Sequence, residues 1–147
     1  MMNYESLADG GFASGSMMGS GGFIVLDDTQ CVVKHTYTLA RFYRHESCGQ
    51  CSPCREGTGW MEKILLKIDS GKGSMSDIDL LWDIQRKIEG NTICPLGDAA
   101  AWPVAAAIRH FRDEFEWHIN NPEDCLRKNY GLAGYADEIH VPVLSNE

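Results

Sequence analysis

Four cysteines constrain this chain more than any other feature: Cys48-x₂-Cys51-x₂-Cys54, then Cys94-Pro95 forty residues later. Three thiols at steps of three, completed by one distant thiol, suit the four corners of a cubane iron–sulfur cluster. The short run wraps three irons from one tight loop, and the remote cysteine supplies the fourth. Any fold the chain adopts must then return residue 94 to the loop at 48–54. A chain holding such a cluster moves electrons. A structural zinc site competes for the same thiols, but zinc sites commonly use separated Cys-x₂-Cys pairs. Redox exchange within one Cys-x₂-Cys step would leave Cys94 without a task. Inert thiols are the last alternative.

At 147 residues the chain has room for one domain, or a small domain with an attached fragment. No apolar run approaches the roughly 20 residues that span a bilayer, so direct membrane insertion is not expected. The opening Met1-Met2-Asn3-Tyr4-Glu5 lacks the basic segment and apolar stretch of a secretory signal. A cytoplasmic setting is expected, where thiols stay reduced for metal binding and disulfides are disfavoured. The net charge is −8, and nothing gathers Lys and Arg on one face. That balance argues against nucleic acid as a partner and is read as solubility.

Glycines crowd residues 10–22 and lead into the apolar run Phe23-Ile24-Val25-Leu26. The loop precedes a strand-like run instead of following one into a helix, so the phosphate-cradling geometry of a dinucleotide site is missing. A β-turn into an edge strand is expected, then a turn at Asp27-Asp28 and a second short strand at Cys31-Val32-Val33. From about Thr36 the pattern becomes helical, with Leu39, Phe42 and Tyr43 on one face. A second helix begins near Cys54, its apolar face Met61, Ile64, Leu65 and Ile68. Ser70 to Ser74 stops it. Ser76 followed by Asp79 reads as the cap of a third helix with Ile78, Leu81, Trp82 and Ile88 inward. A fourth carries Val104, Ile108, Phe111 and Phe115, and tolerates Pro103 only in its first turn or at a kink. Beyond Pro122 the chain is mixed, with a short extended candidate at Ile139–Val143.

Four amphipathic helices with short connections imply a mainly α fold, an antiparallel four-helix bundle. Such a bundle explains the cysteine spacing. A helix of about 15 residues leaves the cysteine loop for roughly 22 Å, and a matched partner returns to deliver Cys94. Two helix N-termini, after Cys54 and after Cys94-Pro95, would then face an anionic cluster. Arg55 either tunes the cluster's potential or forms a first-turn ion pair with Glu56. Cys31 and Cys125 have no metal-like spacing and read as ordinary cysteines. His35, His45, His110 and His118 are assigned no ligand role. Trp60, Trp82, Trp102 and Trp117 are expected to pack the bundle. Gly57 and Gly59 are costly within a helix and imply either close approach of another backbone or weak local packing.

The segment Glu46-Ser47-Cys48-Gly49-Gln50-Cys51-Ser52-Pro53-Cys54-Arg55-Glu56-Gly57 closely resembles the cluster motif of the NADH-binding flavoprotein subunit (F type) of respiratory complex I, NADH:quinone oxidoreductase. Asn91-Thr92-Ile93-Cys94-Pro95-Leu96-Gly97-Asp98 resembles that family's fourth-ligand segment, and Gly19-Ser20-Gly21-Gly22 with its strand resembles the end of its ubiquitin-like domain. The resemblance covers most of the chain up to about His118. It implies that Cys48, Cys51, Cys54 and Cys94 bind one 4Fe–4S cluster, which takes electrons from NADH-reduced FMN. It further implies a peripheral-arm setting at the inner face of the cell membrane, with the 2Fe–2S subunit and the next multi-cluster subunit as neighbours in an oxidoreductase and translocase. The long upstream domain that holds NADH and FMN in that family has no counterpart here, so neither is expected to bind this chain. The division implied is a β-domain end and linker over 1–34, an iron–sulfur-binding helical bundle over 35–120, and a C-terminal extension over 121–147. Two alternatives stand beside it. One is the diaphorase subunit of an NAD-linked hydrogenase or formate dehydrogenase; many of these append ferredoxin motifs, whereas residues 121–147 contain only Cys125. The other is a zinc-stabilised helical adaptor.

Overall fold

The computed structural model describes residues 24–27 and 30–121. Four helices and no strand occur among them: α1 Val32–Glu46, α2 Ser52–Asp69, α3 Met75–Ile88 and α4 Leu96–Asn120. The fold is mainly α. The glycine-rich turn expected before residue 23 and the extended candidate Ile139–Val143 lie outside the described residues.

Two strand expectations are corrected. Ile24, Val25 and Leu26 form no strand and are exposed. Cys31-Val32-Val33 is the start of α1, with Cys31 as its N-cap and the Lys34 N–H donating to Cys31 Sγ at 3.5 Å. The β-branched pair suggested extended chain, but Val33 is wholly buried, and the gain from burial outweighs a weak local preference. The Gln30 N–H donates to the Asp27 carbonyl at 3.2 Å, while Asp28 of the expected turn lies outside the described residues.

α1 buries Val33, Thr36 and Ala40, with Thr36 satisfied by the Val32 carbonyl at 2.7 Å. The expected face of Leu39, Phe42 and Tyr43 is therefore rotated. Phe42 is 54% exposed, edge-on to Tyr43. α2 and α3 follow expectation more closely. Met61, Leu65 and Ile68 are buried from α2, and Ile78, Leu81 and Ile88 from α3, with Ile64 and Trp82 packed at the margin. Each such aliphatic chain withdrawn from water contributes about 1.5–3 kcal/mol.

These two helices are antiparallel, as the contacts at both ends require. Gly57, early in α2, lies against Ile88 at the end of α3, so close that a Cβ would meet Ile88 Cδ1 at 2.6 Å. Late in α2, Lys67 Nζ reaches the Asp77 carboxylate of the first turn of α3 at 2.7 Å. Gly57 is thus required by close packing of a side chain. Gly59 meets only Arg44 at ordinary contact distance.

α3 is capped by Ser74, not Ser76, through a capping box with Asp77. α4 runs back along α3. Trp102 Nε1 donates to Glu89 at one end, and Arg112 Nη2 to Asp79 at the other, at 2.8 and 3.1 Å. Pro103 sits in the body of α4, beyond the first turn. The Ala99 carbonyl loses its helical donor there. The break in helical dihedrals comes later, at Phe111 (φ −134°, ψ 29°). It resets the angular register, leaving Phe111 43% exposed while Val104, Ile108 and Phe115 are buried. Trp60 and Trp102 are also exposed, contrary to the packing role expected for them.

Candidate metal centre

The loop carrying Cys48 and Cys51 joins α1 to α2. Gly49 has φ +77°, a left-handed conformation that a Cβ makes costly, so the turn between the two cysteines needs glycine. Cys51 is the N-cap of α2, Pro53 occupies its first turn, and Cys54 follows on the buried side of that turn. Arg55 fastens the loop to the helix. Its Nη1 donates to the Gly49 carbonyl at 2.7 Å and its Nη2 to Ser52 Oγ at 3.4 Å. Its Nε pairs with Glu56 at 2.9 Å, so the first-turn ion pair is present.

The second loop joins α3 to α4. Gly90, at φ +71°, turns the chain out of α3, and its N–H donates to Asp98 Oδ1 at 2.7 Å. Thr92 Oγ1 donates to the Cys94 carbonyl at 2.9 Å. Behind it, buried Gly97 leaves room for Thr92; a Cβ there would lie 2.4 Å from Thr92 Oγ1 and 2.9 Å from Thr92 Cβ. Pro95 is the N-cap of α4, directly after Cys94.

The two loops meet. The Ile93 N–H donates to Cys51 Sγ at 3.4 Å, across 42 positions of sequence. On the first loop, Ser47 Oγ lies 3.2 Å from Cys54 Sγ and accepts the Gly49 N–H at 3.4 Å. Cys48 and Cys94 are exposed, Cys51 half-buried and Cys54 buried. Among the described residues, no three His, Cys, Asp or Glu side chains are gathered as a ready ligand set. What is gathered is the backbone: a loop with two of the cysteines, a helix turn with the third, and the segment of the fourth laid against them.

The donor chemistry fits an iron–sulfur group. The candidate ligands are thiols, soft donors that as thiolates favour iron–sulfur clusters and zinc over hard cations. Two helix N-termini begin at these loops, and each carries partial positive charge. Two of the sulfurs, those of Cys51 and Cys54, already have hydrogen-bonding neighbours. Sequence reasoning singled out the cysteines but missed Ser47, Thr92, Ile93 and Gly97 as their supports. The available signal was their placement: each lies within three residues of a candidate ligand.

Cys31 and His118 form a separate pairing, Sγ to Nε2 at 3.0 Å, joining the start of α1 to the end of α4. No helix among the described residues is long and apolar enough to cross a membrane.

Residues 34–118 match the family described as the NADH-ubiquinone oxidoreductase-F iron-sulfur binding region. The chain is 46% identical over 132 residues to the F subunit of the NADH-quinone oxidoreductase of Rickettsia typhi, covering 90% of this chain and 28% of that protein. Against the F 1 subunit of the Rhizobium meliloti enzyme it is 45% identical over 120 residues, covering 82% and 27%. It thus spans little more than a quarter of the curated relatives it matches. A solved NAD⁺-reducing [NiFe]-hydrogenase in its H₂-reduced state superposes with a TM-score of 0.62 at 35% identity, over 65% of this chain and 17% of that one. The matched span takes in all four cysteines, both loops and nearly all of the four helices, and by it the chain belongs to the NADH-ubiquinone oxidoreductase-F iron–sulfur binding family.

Proposed function

We propose that this chain is an electron-transfer module of NADH:quinone oxidoreductase, with Cys48, Cys51, Cys54 and Cys94 holding one 4Fe–4S cluster. The observation that carries the reading is the Ile93 N–H on Cys51 Sγ, which lays the Cys94 segment against the other cysteine loop. Bound there, the cluster would accept and release electrons one at a time. The chain's own part is to hold and shield. Arg55 fixes the first loop, Thr92 and Asp98 fix the second, and the N-termini of α2 and α4 offset the negative charge of the thiolates. None of these residues serves as an acid or base.

In this reading the helices form an antiparallel bundle, which the end-to-end contacts among α1 to α4 support. Residues 1–34, 35–120 and 121–147 are the end of a β domain with its linker, the cluster-binding unit and an extension. Electrons would come from FMN reduced by NADH, both held outside this chain in the upstream domain that the resemblance implies. They would leave to the 2Fe–2S subunit or the multi-cluster subunit, in an assembly peripheral to the cytoplasmic face of the membrane. The diaphorase of an NAD-linked hydrogenase is the second reading, favoured by the structural likeness to such an enzyme. The identity of 46% to the quinone oxidoreductase relative against 35% to the hydrogenase supports the first.

Anaerobic reconstitution with iron and sulfide, followed by metal analysis and EPR, tests the assignment. About four irons per chain and a paramagnetic signal on reduction are expected. One tightly bound zinc with no such signal would overturn it in favour of a structural adaptor.

A further inference from the structure

We propose that Ser47 sets the electron affinity of the centre by donating its hydroxyl proton to the sulfur of Cys54. This rests on the reading of Cys54 as a cluster ligand. Ser47 is the C-cap of α1 and precedes the first cysteine, so the helix end fixes its backbone: its N–H donates to the Tyr43 carbonyl at 3.1 Å. Its Oγ lies 3.2 Å from Cys54 Sγ, seven residues away. The same oxygen accepts the Gly49 N–H at 3.4 Å. The hydroxyl keeps its one proton to donate, and Cys54 Sγ lies within reach of it. A ligating cysteine has lost its own proton and can only accept. The direction of the bond is thereby fixed as O–H to S⁻.

The site of the bond matters as much as its direction. Cys54 is the most buried of the four thiols, so this sulfur is the one least served by water. A donor there is worth more than at Cys48 or Cys94, whose exposure leaves them open to solvent. Reduction places one more negative charge on the iron and its sulfurs, and a fixed donor stabilises the reduced form more than the oxidised one. The Ile93 N–H plays a comparable part at Cys51 but is backbone, and cannot be removed without a proline that would also constrain the loop. Ser47 can.

The experiment uses the reconstituted full chain, titrated with dithionite against redox mediators and followed by EPR. Ser47→Ala and Ser47→Val remove the hydroxyl at two sizes, and Ser47→Thr keeps it. At equal iron content, both hydroxyl-free variants are expected to shift the reduction equilibrium roughly tenfold towards the oxidised form. That is a midpoint about 59 mV lower for a one-electron couple. Ser47→Thr is expected to titrate with the wild type. Wild-type midpoints in Ser47→Ala and Ser47→Val would overturn the proposal. So would failure of both to take up a cluster while Ser47→Thr loads, since Ser47 would then serve assembly and not potential. A wild type that itself takes up no iron would instead defeat the cluster assignment, so the two failures are distinct.

Discussion

Gly97 shows how a residue with no chemistry of its own decides the geometry of the second loop. Its missing side chain is the space Thr92 occupies, and Thr92 in turn holds the Cys94 carbonyl. The clashing atoms in a Gly97→Ala variant would include Thr92 Cβ, which is tied to the backbone and cannot swing away. The loop itself must shift, and Cys94 with it. Gly97→Ala is expected to lower stability by about 1–3 kcal/mol in urea unfolding. It should also reduce iron retained after gel filtration. Adding Thr92→Ala should recover part of the stability by vacating the space. If Gly97→Ala alone retains both full stability and full iron, Thr92 is not the brace described.

Among the elements, α3 displays both what the sequence discloses and where it falls silent. Its inward face was legible because Ile78, Leu81 and Ile88 repeat at helical spacing and have no competing pattern. Its start was not. Ser74 with Asp77 and Ser76 with Asp79 are equivalent local signals, each a hydroxyl followed three residues on by a carboxylate. The choice is made from outside the helix. Lys67 on α2 reaches Asp77, and Asp77 also accepts the Ser74 N–H and hydroxyl, each at 2.7 Å. The strand expected at Cys31–Val33 failed in the same way, because burial of Val33 against other helices is a tertiary fact. Phe111 was misplaced because nothing in the residues themselves announces the dihedral break. Spacing alone singles out the four cysteines as candidates, whereas the Ile93 and Ser47 contacts depend on how the two loops lie.

The Asp77 node also has a pH signature. Burial pushes its carboxyl up, but the hydrogen bonds from Lys67 and Ser74 and the Lys67 charge outweigh that and hold its pKa below the usual 3.8. A carboxyl depressed in the folded state stabilises the fold above its unfolded pKa, and that stability is lost as pH falls through the folded value. Urea midpoints of the wild type should therefore drop below about pH 4, and Asp77→Asn should flatten that limb. His35 adds a separate acid-labile step below 6.5, since burial disfavours its charged form. The comparison of variant with wild type isolates Asp77. An unchanged acid limb in Asp77→Asn would remove this node from the account.

At the scale of the whole molecule, the hydrophobic interior and the candidate metal centre occupy different places and answer to different forces. Met61, Leu65, Ile68, Ile78, Leu81, Val104 and Phe115 pack into one core contributed by α2, α3 and α4. Val33 and Ala40 bring in α1. Three of the four candidate ligands lie outside that core, on connecting loops. Stability of the helices should then survive without metal, unlike small zinc domains that are unfolded when empty. The two loops are nonetheless far apart in sequence, and a group bound to both would join the start of α2 to the start of α4. Binding that favours only the folded state adds to stability in proportion to its affinity. The metal-free chain is expected to show a helical far-UV circular dichroism spectrum and a cooperative melt, and the reconstituted chain the same spectrum with a higher Tm. Cys94→Ser should cancel most of the rise, because it releases the second loop, while leaving the metal-free melt close to wild type. A metal-free chain without helical signal would mean that the core cannot stand unaided and that the ligands, not the apolar faces, organise the fold.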